Sequence, residues 1–218
     1  MQIHHLLEQN SIAAQFLAEL RDIKIQKDQM RFRRNIERLG EIMAYEISKE
    51  LSFKKATVAS PLGNAETVEI DEKIVICSIL RAGLPLHNGL LSYFDTAENT
   101  FISAYRHHTT EKEFEIKVEY LASPSLEGKT LILADPMLAT GGSMVTVYEA
   151  LKKMGTPAKI HLVSIIGAKP GVEFVSGNFP EDSHLWIVAI DEHLNDHGYI
   201  IPGLGDAGDL SFGLKAQN

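Results

Sequence analysis

The stretch Leu131 to Ser143, LILADPMLATGGS, sets an acid, a small-residue turn and a helix start close together in the chain. Leu131 to Ala134 are apolar and read as a short buried strand. Asp135 ends it. Thr140-Gly141-Gly142-Ser143 then forms a turn, and Val145, Tyr148, Leu151 and Met154 recur at three- or four-residue intervals, which predicts a helix. A strand that runs through a glycine-rich turn into a helix makes an anion cradle. N–H groups at the helix start point outward, the helix dipole adds partial positive charge, and glycine lets the backbone approach closely. Asp135 suits hydroxyl groups, because a carboxylate repels another anion. An acid for a sugar beside a nest for its phosphate reads as a ribose-phosphate site. Gly141→Val is expected to block that nest and leave the fold largely intact.

Other residues could join this chemistry. Arg81 follows the apolar run Ile74 to Leu80 and precedes Ala82-Gly83. Its guanidinium fork matches phosphate oxygens, with a surface ion pair as the competing reading. Arg106 follows Phe101 to Tyr105, and a structural salt bridge is its rival role. Asp206 stands between Gly205 and Ala207, where aspartate is often a turn former, and Asp209 reads as a turn or solvent residue. The pairs His193/His197 and His107/His108 lack a Glu or Cys at metal-site spacing, so no transition metal is expected. Gly128-Lys129-Thr130 imitates the end of a nucleotide P-loop, but Ser123 stands where its first glycine belongs. No G-x-S-x-G, catalytic Cys-His signature or convincing general base is present.

The segment at Asp135 resembles the loop of type I phosphoribosyltransferases that holds 5-phosphoribosyl-1-pyrophosphate (PRPP). There a hydrophobic strand runs into acids and a T-G-G-S or T-G-x-T turn. Most members have two adjacent acids; here the pair is Asp135-Pro136, a departure shared by the uracil phosphoribosyltransferases. Asn195 to Gly208, NDHGYIIPGLGDAG, is similar to the uracil-binding segment of those enzymes. Ile79-Leu80-Arg81-Ala82-Gly83-Leu84 and Tyr105-Arg106 agree in order and spacing, and the likeness runs from about Arg33 to Gly213.

The resemblance implies transfer of the 5-phosphoribosyl group of PRPP to uracil, giving UMP and pyrophosphate, a step of pyrimidine salvage. It implies PRPP contacts from Arg81, Arg106, Asp135, Pro136, Met137, Leu138, Ala139, Thr140, Gly141, Gly142, Ser143 and Asp206. Uracil would meet Ile200, Gly205, Asp206 and Ala207, and catalysis would rest on Asp135, Arg106 and Asp206. Mg²⁺ is the expected cofactor, accompanying PRPP with no protein ligand assigned. A homo-oligomer, dimer or higher, is expected, and activation by GTP stays open. Two alternatives remain: a transferase for another base, and a PRPP-binding regulatory protein, an RNA-binding attenuator being one such.

The chain has 218 residues, 44% hydrophobic and 23% charged, enough for one phosphoribosyltransferase domain over 1–218 with a substantial core. A net charge of −8 argues against a nucleic-acid binder, which needs a basic face. It also means that the positive potential for a polyanion must be local. The single cysteine, Cys77, lies in an apolar run and fits a reducing compartment. MQIHHLLEQN is no leader and no apolar run approaches a membrane span, so a soluble cytoplasmic protein without membrane contact is expected.

These groups need elements to hold them. The first fifty residues read helical, with a stripe Phe32, Ile36, Leu39, Met43, Ile47 and Leu51. The basic cluster Arg31, Arg33, Arg34 and Arg38 decorates it, as a solvated or subunit-facing surface or as a site for an anionic effector. Beyond Lys73 strands and helices alternate: 74–80, 100–105, 130–134, 160–166 and 185–190 as strands, 85–94 and 171–177 as helices. That rhythm predicts the α/β fold of type I phosphoribosyltransferases, a parallel sheet flanked by helices. Residues 107–120 are expected to project as a β-arm. The C-terminal segment, with too many glycines for a regular element, would form a small hood over the site. Arg81, Arg106, Asp135 and Asp191 would then share the carboxyl rim of the sheet, where ligands of such sheets sit.

Overall fold

The computed structural model describes the backbone of residues 1–108 and 114–216, and side chains within that range outside 104–119. The chain opens with a strand, β1 (Gln2–His5), and two helices, α1 (Ile12–Arg21) and α2 (Gln29–Ser48). Ser11 caps α1 by accepting the Ala13 N–H, and Asp28 caps α2 by accepting the Arg31 N–H. The predicted stripe is buried along α2, and Leu51 joins the same core from just beyond its end.

A hairpin of β2 (Phe53–Ser60) and β3 (Gly63–Ile70) comes next, then β4 (Ile74–Leu80), α3 (Gly83–Leu91), β5 (Glu98–His108) and β6 (Phe114–Ala122). β7 (Thr130–Ala134), β8 (Met137–Leu138) and α4 (Gly142–Leu151) carry the acid and the glycine turn. The chain closes with β9 (Lys159–Ala168), α5 (Lys169–Asn178), β10 (His184–Asp191), β11 (His193–Leu194), β12 (Ile200–Ile201) and α6 (Ala207–Phe212).

The main sheet has the order β1-β10-β9-β7-β4-β5-β6, with β8 paired to β9. Its pairings are parallel except that of β5 with β6. Its central strands are buried on both faces, which explains their unbroken apolar runs. Alternate residues feed two cores. Ile76, Ile132, Val163 and Trp186 meet α1, α2 and α3, whereas Cys77, Leu133 and Leu162 meet α4 and α5. Cys77 is fully buried, and burial pushes its thiol pKa up. β4, β7 and β10 therefore end at one rim, at Leu80, Ala134 and Asp191.

Several expectations are corrected. The N-terminus is not helical throughout: Gln2–His5 pair in parallel with β10, and the His4 ring stacks on Trp186 at 3.7 Å. That partner lies far along the chain, so no local periodicity announces it. The hairpin β2–β3 was not foreseen; its mixed, exposed residues carry no apolar pattern. The helix after the glycine turn ends at Leu151, with Met154 in a 3₁₀ turn. The glycine-rich C-terminus does form regular structure, β12 and α6, because Asp206 caps α6 by accepting the Asp209 N–H. β5 pairs with β4 only as far as Ser103, so beyond it the β5–β6 hairpin extends past the sheet, as an arm would. The arm residues 109–113 lie outside the described residues.

Candidate active site

Asp135 leaves β7 with its N–H donated to the Val163 carbonyl and its own carbonyl accepting the Ser164 hydroxyl at 2.6 Å. Its carboxylate accepts the Met137 N–H at 3.2 Å, a local turn that aims the acid along the rim. The Pro136 carbonyl takes the N–H groups of both Ile165 and Ile166, fastening the loop to β9. Asp135, Met137 to Gly141, Ser143 and Met144 line one open pocket. Leu138 is buried with its side chain in the core, so it can offer a ligand only main chain.

Gly141 begins α4 in the left-handed region, φ +80°. A Cβ there would lie 3.0 Å from the Gly171 carbonyl and from carbons of Phe174 and Val175. Glycine is needed on both counts, and the turn rests directly on α5. The Thr140 hydroxyl accepts the Gly142 N–H at 3.4 Å, which holds the turn open toward the pocket. The first N–H groups of α4 have no partner within the helix and face this pocket, where the helix dipole adds positive potential.

Arg81 follows β4 directly. Its Nη2 donates to Asp209 at 2.8 Å and to the Gly213 carbonyl at 3.2 Å, so β4 and α6 share an ion pair at the rim. Asp209 is thus more than a turn residue. Beneath Arg81 a buried chain runs from the Ser78 hydroxyl to His87 Nδ1 at 2.9 Å and from His87 Nε2 to Asn99 at 2.8 Å. Burial lowers the His87 pKa, so it serves as a neutral spacer.

Asp206 accepts the Asp209 N–H at 2.9 Å and the Lys215 ammonium at 3.0 Å. Burial works to raise its pKa, but these donors outweigh it and hold the carboxyl below the ordinary aspartate value. The loop before α6 is tight: Ile200 is buried and Ile201 half exposed, so Ile200 too can offer only main chain to a ligand. Gly205 and Ala207 flank Asp206 on this loop and at the start of α6. Arg106 lies on β5 opposite Ile116, and its side chain falls outside the described residues.

The structure therefore collects two groups at one rim: the Asp135–Ser143 loop, and Arg81 with the Asp206–Asp209 turn. It withdraws Asp191 from them. That carboxylate is buried and pairs with Arg21 at 2.8 Å. The arginines of α2 also find partners within the chain. Arg31 meets Glu19, Arg34 meets Glu37 and Glu41, Arg38 meets Asn35, and Arg33 donates to the Ser211 carbonyl at 2.6 Å. Arg21 and Lys215 were missed by sequence reasoning; a cation in the last turn of α1 carries no local sign of a carboxylate 170 positions away.

Known proteins decide the family. The family model described as uracil phosphoribosyltransferase matches residues 7–213. The chain belongs to that family. It is 50% identical over 215 residues to the uracil phosphoribosyltransferase of Porphyromonas gingivalis, covering 99% of this chain and 100% of the relative. It is 41% identical over 192 residues to that of Methanothermobacter thermautotrophicus, covering 87% of each. Among solved structures, a protein from Aquifex aeolicus superposes with a TM-score of 0.87 at 30% identity, over 99% of this chain and 100% of that one. As a member of the uracil phosphoribosyltransferase family, the chain is a pentosyltransferase with the type I phosphoribosyltransferase fold.

Proposed function

We propose that this chain transfers the 5-phosphoribosyl group of PRPP to uracil, releasing pyrophosphate and forming UMP. The observation that carries the reading is the shared rim. A helix-start cradle and a strand-end acid stand there with a glycine-rich loop whose main chain can read a flat, polar-edged base. Family membership supports the same reaction.

In this reading the turn from Thr140 to Ser143 holds the 5-phosphate, and Asp135 holds the ribose hydroxyls. As the bond to pyrophosphate breaks, positive charge grows on the ribose ring, and the Asp135 carboxylate stabilises it. Arg81 and Arg106 take the pyrophosphate. Main chain at Ile200 and from Gly205 to Ala207 reads uracil, with Asp206 also close to PRPP.

The described residues contain no cluster of three or more metal-binding side chains. Mg²⁺ would enter on PRPP, since the ion keeps waters and needs only one or two carboxylates beside substrate phosphates. Asp206 would reach the ion through water, and the ion would neutralise the departing pyrophosphate. The reading includes a homo-oligomer, dimer or higher. It is supported by the β2–β3 hairpin, whose two strands lie almost wholly exposed with Phe53, Val58 and Val68 on their surface and Leu62 in the turn between them. A lone two-stranded hairpin is marginal in water. A cytoplasmic location is part of the proposal, supported by Cys77 as a free, buried thiol.

Incubation of the purified chain with uracil, PRPP and Mg²⁺ tests the reading. UMP and pyrophosphate are expected in equal amounts. No UMP with uracil, but product with orotate, cytosine or a purine, would move the enzyme to another base. PRPP binding with no turnover would make it a regulatory protein.

A further inference from the structure

Asp191 ends β10 with only 8% of its surface exposed, and its carboxylate is spent on Arg21 and on the main chain of Gly203. Its Oδ1 accepts Arg21 Nη2 at 2.8 Å, and its Oδ2 accepts the Gly203 N–H at 3.1 Å. Arg21, the last residue of α1, also donates through Nη1 to the Gly203 carbonyl at 3.5 Å. Both peptide groups of Gly203 are thereby held. Just after α1, Gln26 Nε2 donates to the Leu20 carbonyl at 2.8 Å and to the Leu204 carbonyl at 3.1 Å. Gly203 is left-handed, φ +61°, and a Cβ on it would fall 2.2 Å from the Ile200 carbonyl, so the turn admits little adjustment of its own.

Three side chains, Asp191 at the end of β10 and Arg21 and Gln26 at the end of α1 and just beyond it, thus grip two consecutive residues, Gly203 and Leu204. These sit between Ile200 and the stretch from Gly205 to Ala207, the main chain proposed to read the base. We propose that Arg21, Asp191 and Gln26 are positioning residues that fix this loop and so set the affinity and selectivity for uracil.

The physical reason is the reader itself. A main-chain reader has no rotamers with which to correct its position; only the anchoring of its backbone decides where its N–H and C=O groups lie. Displacements of about 1 Å degrade such recognition strongly. A buried carboxylate beside a polyanion site also needs its charge balanced, and Arg21 supplies that balance. A carboxylate can hold an N–H and a cation at once, so one residue joins β10, α1 and the loop.

The inference rests on the base-reading role proposed above, and its test separates the two. Full-length wild type, Arg21→Met, Arg21→Lys, Gln26→Ala and Gly205→Ala are compared by steady-state kinetics with uracil, cytosine and PRPP, and by thermal melting. Gly205→Ala strains the reading loop directly, at a left-handed residue. Arg21→Met is expected to raise KM for uracil about tenfold and to lower the preference for uracil over cytosine, with KM for PRPP within about twofold of wild type. Arg21→Lys should recover most of that loss. Gln26→Ala, the milder change, should raise KM for uracil about threefold and stands in if Arg21→Met does not fold. A lower melting temperature with an unchanged KM for uracil would reduce the anchor to a structural tie and overturn the proposal. So would equal rises in KM for uracil and PRPP. If Gly205→Ala leaves KM for uracil unchanged, the loop does not read the base, and the reading beneath the proposal fails. If Gly205→Ala raises it and the anchor variants do not, the anchor alone fails.

Discussion

Gly141→Ala probes the phosphate cradle at its most constrained point. The residue sits at φ +80°, where an L side chain costs roughly 1–2 kcal/mol. The new Cβ would also stand 3.0 Å from the Gly171 carbonyl and from carbons of Phe174 and Val175. The Gly171 carbonyl yields less readily than the side-chain ends of Phe174 and Val175, and overpacking of this kind costs about 1–3 kcal/mol. Together these give a loss near 3 kcal/mol, which for a chain of this size lowers Tm by about 6–12 °C. Relief of the contact lifts the turn from α5 and spoils the aim of the N–H groups, so PRPP affinity should fall about tenfold or more, the equivalent of at least ~1.4 kcal/mol. Valine adds further atoms at the same place. The expectation that Gly141→Val would spare the fold is therefore overturned by the packing of this turn on α5. Differential scanning calorimetry and titration calorimetry with PRPP give the two quantities. Wild-type Tm together with wild-type PRPP affinity would refute both the packing argument and the cradle.

Three other outcomes follow from the geometry. Arg81→Ala should lower Tm by less than about 4 °C, because a half-exposed ion pair is worth about 0–1 kcal/mol, while PRPP binding or turnover falls steeply; lysine should rescue only partly, and normal kinetics with a large loss of Tm would make Arg81 structural. Asp135→Asn keeps the acceptor for the Met137 N–H and so the loop, but removes the charge. Its kcat should drop about 100-fold, roughly 2.7 kcal/mol, with a smaller change in PRPP affinity, and near-normal kcat with weakened PRPP binding would make Asp135 a binding group only. The third concerns pH. Burial, and then neighbouring His184, bring the fully buried His161 down to about 4, and its Nδ1 accepts the Trp186 indole N–H at 3.1 Å. The unfolded chain therefore binds the proton more readily, and stability should be lost as pH falls from about 6.5 toward 4, by up to about 3 kcal/mol. His161→Gln should flatten that slope in urea titrations, and an unchanged slope would assign it to other groups.

Much of this architecture could be read from the chain because its signals are local. The apolar runs of β4, β7, β9 and β10 announce a sheet buried on both faces, and the glycine turn announces the cradle. The stripe on α2 was equally plain. Much of what stayed hidden depends on partners remote in sequence. β1 exists because Gln2–His5 lie along β10; the local hairpin β2–β3 stayed hidden for another reason, that its exposed, mixed residues carry no apolar pattern. Remote partners matter at the site too. Asp135 and Thr140 to Ser143 declared themselves through spacing, whereas Arg81–Asp209 and Arg21–Asp191 join residues 128 and 170 positions apart. Asp191 shows the limit best: strand-end position marked it as a rim residue facing a ligand, and in the structure it is buried against a cation on α1.

The most direct test of the account is a crystal structure of the chain with UMP, which spans both halves of the rim in one molecule. The account predicts the 5-phosphate on the N–H groups from Thr140 to Ser143, ribose hydroxyls on Asp135, and the uracil edge on main chain between Ile200 and Ala207. A phosphate bound at Arg81 with the cradle vacant, or a base lodged away from that loop, would contradict it.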